Sequence, residues 1–267
     1  MRRAISRVDD VLLVALLAIA GWWGYHQLRP AHPPRPVAAF HASTQPAGVA
    51  LAALEALPIK GRAPKTGYAR SQFGVGWIDV DHNGCDTRND ILRRDLTQVS
   101  LEPGTNGCVV LSGVRIDPYS GRRISFVRGN TTSTAIQIDH IVALSDAWQK
   151  GAQGWDAEKR VRFANDPLNL IAVAESVNQA KGAGDAATWL PPQKDYRCEY
   201  VARQVAVKSK YGLWMTRAEK DAVARVLSTC PSEELPTSAA LGQRAFRVRA
   251  TGRLQASETG AGSVTAG

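Results

Sequence analysis

Two adjacent residues, Asp139 and His140, offer the most chemistry in this 267-residue chain. They close a short β-prone run, Ile136-Gln137-Ile138-Asp139-His140. Further on come Asn165-Asp166-Pro167-Leu168-Asn169, an apolar run, and Asn178-Gln179-Ala180-Lys181. Successive side chains on a strand point to opposite faces, so the carboxylate and the imidazole cannot grip one ion together and must do different work. Asp139 suits a metal and His140 a proton, because an imidazole of unperturbed pKa about 6.5 can act as a neutral general base. Asn178 can bring an amide oxygen to the same ion. Two oxygen donors leave the other positions to water and substrate, which suits magnesium or manganese serving phosphates better than a closed zinc site.

Positioning these groups takes a strand, a long connection, a second strand and a helix. The second strand falls within Leu170-Ile171-Ala172-Val173, after a turn at Asn165–Asn169, and a helix starts over Glu175 to Lys181. Upstream, Val109 to Ile116 and Arg122 to Val127 alternate around Asp117-Pro118-Tyr119-Ser120-Gly121, a turn with proline and glycine where a hairpin wants them. Cys198 to Lys210 reads as a helix stopped by Gly212. Thr216-Arg217-Ala218-Glu219 reads as a capping box opening another helix to about Ser228. Two such helices joined by a short turn lie antiparallel and bring Cys198 to Cys230. The remaining cysteines, Cys85 and Cys108, then pair with each other, and none of the four has CxxC spacing.

The Asp-His strand end, the Asn-Leu pair before the second strand and the helical Asn178 resemble the HNH nucleases, the His-Me finger or ββα-metal group. With Asp79 to Asp90 and Asp117 to Gly121, the stretch from Tyr68 to Cys230 is similar to secreted bacterial proteins whose domain is named after the C-terminal part of GmrSD restriction endonucleases. The resemblance implies an α+β fold: a ββα-metal core with an added β-hairpin and a C-terminal antiparallel helix pair. It makes His140 the general base, Asp139 and Asn178 the metal ligands, and Asn169 a residue that steadies the loop holding the histidine. Lys181 and Arg88 are the candidate cations for substrate phosphate. It further implies hydrolysis of DNA, and of RNA as an alternative, leaving a 5′-phosphate. Ala143 stands where many HNH nucleases carry a proline.

Asp79, Asp81, Asn83, Gly84 and Asp90 fall on the spacing of a calcium loop, with Asp where the last ligand is usually Glu; the alternative is a polar turn held by Cys85. His82, in the same loop, is a second candidate for phosphate contact. Trp148, Trp155 and Trp189 neighbour apolar helical positions and belong to packing.

Val11 to Ile19 is unbroken apolar behind Arg2, Arg3 and Arg7, so residues 1–28 are either a secretory signal or an uncleaved membrane anchor with Trp22, Trp23 and Tyr25 at an interface. Both place the rest outside the cytoplasm, where four cysteines form disulfides. Residues 29–48 read as a Pro/Ala-rich linker, 49–230 as the domain and 231–267 as a disordered tail. The formal charge is +9, and setting aside residues 1–35, with five arginines and two aspartates, leaves +6. That excess suits a polyanion bound with little or no sequence specificity. No Walker loop, GxSxG elbow or HExxH is present, which excludes nucleotide hydrolases of that type, serine esterases and zincins. The rival class is a non-catalytic surface or nucleic-acid-binding module.

Overall fold

The computed structural model describes residues 49–238 and 241. The expected signal or anchor, the linker and the tail beyond 241 lie outside the described residues. Among those described, no helix is long and apolar enough to cross a membrane. The packed chain continues past Cys230, where the sequence reading ended the domain: Glu234 bridges to Val49, and Leu235 and Leu241 are buried.

The elements are helix and strand mixed, an α+β fold. Ala50–Ala56 (α1) is an alanine- and leucine-rich turn of helix that buries Ala50 and Leu54. A 3₁₀ turn, Arg70–Phe73, sinks Phe73 into the core. Thr87–Asp95 (α2) begins at Asp86, whose carboxylate accepts from the Asn89 amide at 2.8 Å and so satisfies an otherwise orphaned N–H.

Three strands follow, Thr97–Leu101 (β1), Val110–Ile116 (β2) and Arg123–Val127 (β3), in an antiparallel sheet of that order. The hairpin β2–β3 turns at Asp117, which takes the Ser120 and Gly121 amides on side chain and backbone respectively; Gly121 sits at φ 73°, a conformation costly for residues with a Cβ. β1 was not anticipated. Its residues are mostly exposed, so its sequence carries no core-facing alternation to read.

Ile136–His140 (β4) pairs antiparallel with Leu170–Ala174 (β5), Ile136 opposite Ala174 and His140 opposite Leu170. Between them run Leu144–Gln149 (α3) and Ala157–Ala164 (α4); Glu175–Lys181 (α5) follows directly. The ribbon is buried on both faces. Ile136, Ile138, Leu170 and Ala172 pack with α2 and the three-stranded sheet, while Ile171 and Val173 face the main core. That explains β5's unbroken Leu-Ile-Ala-Val-Ala.

Arg197–Tyr211 (α6) ends at Gly212 in the left-handed region, and Arg217–Leu227 (α7) opens on the Thr216–Glu219 capping box. The disulfides are the expected ones, Cys85–Cys108 and Cys198–Cys230. Trp148 is buried, with Trp155 and Trp189 packed on the same core.

A feature with no local sequence signal holds these elements together. Lys150 Nζ lies 2.6 Å from Asp146, 2.8 Å from Asp185 and 2.6 Å from Glu219, and Lys208 Nζ lies 3.2 Å from Asp146 and 2.8 Å from Glu219. Arg62 adds contacts to Asp146 and Asp185 at 3.0 and 2.5 Å. Three carboxylates thus meet three cations, with both lysines wholly out of water. Such a group tolerates burial only because every charge has a close opposite.

Candidate functional site

His140 and Asp139 end β4 and, as strand geometry requires, face opposite sides of the ribbon. The His140 ring lies at the base of a cleft of about 140 Å³ bounded by Arg70, Phe73, Trp77, Leu144 and Ala164. Its Nε2 is 2.9 Å from the Ala164 carbonyl oxygen. A carbonyl only accepts, so Nε2 carries the proton and Nδ1 keeps the free lone pair. Trp77 stacks nearly parallel on the ring, with centroids 6.0 Å apart. Burial pushes the imidazole down to about 3, opposed by the Ala164 bond and reinforced by Arg70 and Lys181. The ring is therefore neutral at pH 7.

Asp139 is in different company. Its Oδ2 accepts from the Tyr119 hydroxyl at 2.6 Å and its Oδ1 lies 3.0 Å from Lys181 Nζ. Burial and then Asp139 raise the Tyr119 pKa well above its usual value, which keeps the phenol a donor. Tyr119 comes from the hairpin turn and packs edge-on against Trp189 and Tyr200. Lys181, expected at a phosphate, has no exposed side-chain surface; it also donates to the His140 carbonyl at 2.8 Å. One ammonium thereby ties both strand-end residues to α5.

The other expected residues are placed as follows. Asn169 is wholly buried: its Oδ1 accepts from the Val142 amide at 2.9 Å and its Nδ2 reaches the Val142 and Phe163 carbonyls at 3.4 Å. It brackets the loop directly after His140. Arg94 and Arg203 grip that residue's own loop, both donating to the carbonyls of Pro167 and Leu170. Asn178 donates to Gln137 Oε1 at 2.8 Å, and Gln137 in turn donates to Glu175. Arg88 reaches the carbonyls of Ser133 and Ile136, at the opposite end of β4 from His140, so the structure does not bring it to the cleft.

A divalent ion at Asp139 and Asn178 would have donors of the right hard-oxygen kind. Their arrangement does not fit one: both carboxylate oxygens are engaged, one of them by an ammonium, and neither residue lines the His140 cleft. The acidic loop is likewise turned on itself. Asp79 accepts from the Asn83 and Gly84 amides, and Asn83 Nδ2 donates to Asp81 and Asp90 at 3.1 Å. His82 is exposed there at φ 57° and apart from His140's cleft. Among the described residues, ligand atoms of three such side chains converge at Cys198, Cys230 and Glu233, where both sulfurs are already joined as a disulfide.

Sequence reasoning missed Arg70, Trp77 and Tyr119. The first two lie more than sixty residues before His140, where no spacing rule reaches. Tyr119 had one signal, a large aromatic inside a turn otherwise made of small and polar residues.

Residues 86–226 match the model of the family described as GmrSD restriction endonucleases, C-terminal domain. An "Uncharacterized secreted protein" of Arthroderma benhamiae is 39% identical over 186 residues, covering 69% of this chain and 86% of the relative. No solved structure matches.

Proposed function

This chain belongs to the family of GmrSD restriction endonuclease C-terminal domains, and on that premise we propose that it is an exported phosphodiester hydrolase of the HNH, ββα-metal type, acting on DNA. The observation that carries the reading is His140: a neutral imidazole at the base of a cleft, its Nε2–H fixed on Ala164 so that Nδ1 is the free acceptor. In hydrolysis, a water in the cleft gives its proton to Nδ1 while its oxygen attacks phosphorus. The bond from phosphorus to the 3′-oxygen breaks, leaving a 5′-phosphate, and the departing oxygen takes a proton from solvent. Asn169 holds the backbone behind His140, so that the ring meets the water without searching for its orientation. Export is supported by two disulfides, which persist in oxidising compartments, and by the word "secreted" in the fungal relative's name.

The magnesium or manganese requirement implied by the family resemblance attaches to Asp139 and Asn178 only if Lys181 gives up the carboxylate. A second reading draws on that same contact: a nucleic-acid-binding module that no longer cleaves, its Asp139 serving as a structural anchor. Plasmid nicking by the whole protein, in magnesium, manganese, calcium and EDTA, separates them. Hydrolysis predicts nicking by the wild type and a loss of about 10²–10⁴-fold in His140→Ala. Binding without nicking under every condition establishes the second reading, and a His140→Ala variant within tenfold of wild type removes His140 as the base.

A further inference from the structure

The wall of the cleft facing His140 is built by Arg70 to Trp77, upstream of the region that matches the family. Phe73 anchors it, buried among Tyr68, Trp148 and Phe163. Arg160 of α4 pins its backbone by donating to the Gln72 carbonyl at 3.0 Å. Gly74 and Gly76 stand at φ 97° and 88°, and a Cβ on Gly74 would come 3.2 Å from Val161. The wall is therefore a fixed platform that follows α4 closely.

Arg70 stands on that platform at the mouth of the cleft. Arg94, Arg115 and Arg203 are all committed to carbonyls or carboxylates. The Arg70 side chain is exposed and lacks any hydrogen-bonded or ion-paired partner among the described residues, and it lines the same cleft as His140. A cation lining the same cleft as the imidazole, with five free donors in a planar fork, is arranged for an anion between the two. The size of the cleft limits that anion. At roughly 30 Å³ per water, the space of about 140 Å³ takes a phosphodiester group and an attacking water. A whole nucleoside does not fit, since pockets for ligands of that size run from about 300 Å³.

We propose that Arg70 binds the scissile phosphodiester in the His140 cleft, with sugars and bases left outside, so that the site reads nucleic-acid backbone and not sequence. This rests on the hydrolase reading and adds a substrate-binding residue to it.

The test uses the full-length protein as wild type, Arg70→Ala, Arg70→Lys and Arg217→Ala, the last removing an exposed charge from α7. Cleavage kinetics and fluorescence-anisotropy binding are measured on mixed-sequence duplex DNA across a salt series. Arg70→Ala is expected to raise KM and Kd by about tenfold or more and to reduce the slope of log affinity against log salt by about 0.9, the loss of one phosphate contact. Arg70→Lys should restore the slope and only part of the affinity, since an ammonium lacks the bidentate fork. Arg217→Ala should change neither, and duplexes of different base composition should be bound and cut within a few-fold of one another. If the wild type cleaves while Arg70→Ala keeps its KM and its salt slope, the Arg70 assignment is wrong and the hydrolase reading stands. A protein that binds without cleaving, with Arg70→Ala losing affinity and slope, retains the assignment and sinks hydrolysis. Absence of both binding and cleavage overturns both.

Discussion

Replacing Asn169 with alanine should cost far more than one side chain's hydrogen bonds usually do. The Val142 amide it accepts at 2.9 Å is itself buried, with no route to water. Stranding that donor costs about 1–3 kcal/mol. The two carbonyl contacts at 3.4 Å are long and add only about a few tenths each, and the small void adds about as much again. The total is about 2–4 kcal/mol. With an m-value of about 2 kcal/mol/M in urea, the unfolding midpoint should fall by roughly 1–2 M with m unchanged. Asn169→Asp sharpens the argument. The carboxylate can still accept from Val142 but faces the Val142 and Phe163 carbonyls without a proton to offer, so it should not rescue stability at pH 7. It should recover partly at pH 4, where protonation supplies a donor. Both are read from urea unfolding with the disulfides intact. Asn169→Ala within 0.5 kcal/mol of wild type, or Asn169→Asp matching wild type at pH 7, would refute the clamp.

Lys150→Met should destabilise by about 3–5 kcal/mol in thermal unfolding, because Asp146, Asp185 and Glu219 would then face only Lys208 and Arg62; a loss under 1 kcal/mol would contradict that account. Asp95 titrates near 2 instead of 3.8, because Arg94, Arg115 and the Ala172 amide outweigh its burial. A depressed carboxyl stabilises above its unfolded pKa and loses that contribution as pH falls through the folded one. About 2.5 kcal/mol should therefore disappear between pH about 4 and 2, and the stability gap between wild type and Asp95→Asn should close over that window. Opening Cys198–Cys230 by paired serine substitution should cost about 3.5 kcal/mol, from a bridge spanning 32 residues; urea unfolding unchanged within 1 kcal/mol would show that the reduced chain is constrained by other means.

The strand–connection–strand–helix order, the hairpin and the helix pair were legible because each has a local signature: a β-prone run, a turn with Pro and Gly, a capping box. The disulfide pairing followed from the helix pair. What stayed hidden is long-range. Lys181 reads from sequence as a phosphate contact because its spacing says nothing of Asp139, 42 positions earlier. Nothing local marks Lys150 and Lys208, or Glu219 beyond its capping box, as partners until α3, α6 and α7 converge. The imidazole's depressed pKa likewise comes first from burial and then in part from Arg70, which lies in a part of the chain the motif does not include.

The bridge between Val49 and Glu234, with the Ala50 amide on the Glu233 carbonyl at 2.8 Å, sets the start of the folded region beside a stretch of chain close to its other end. A domain whose two ends lie near one another can serve as an insert in a host loop. The same adjacency makes circular permutation feasible. A linker could join the chain after Leu241, which keeps the buried Leu235 and Leu241, to Val49, and new termini could open at the exposed turn near Gly104 between β1 and β2 without separating Arg70 from His140.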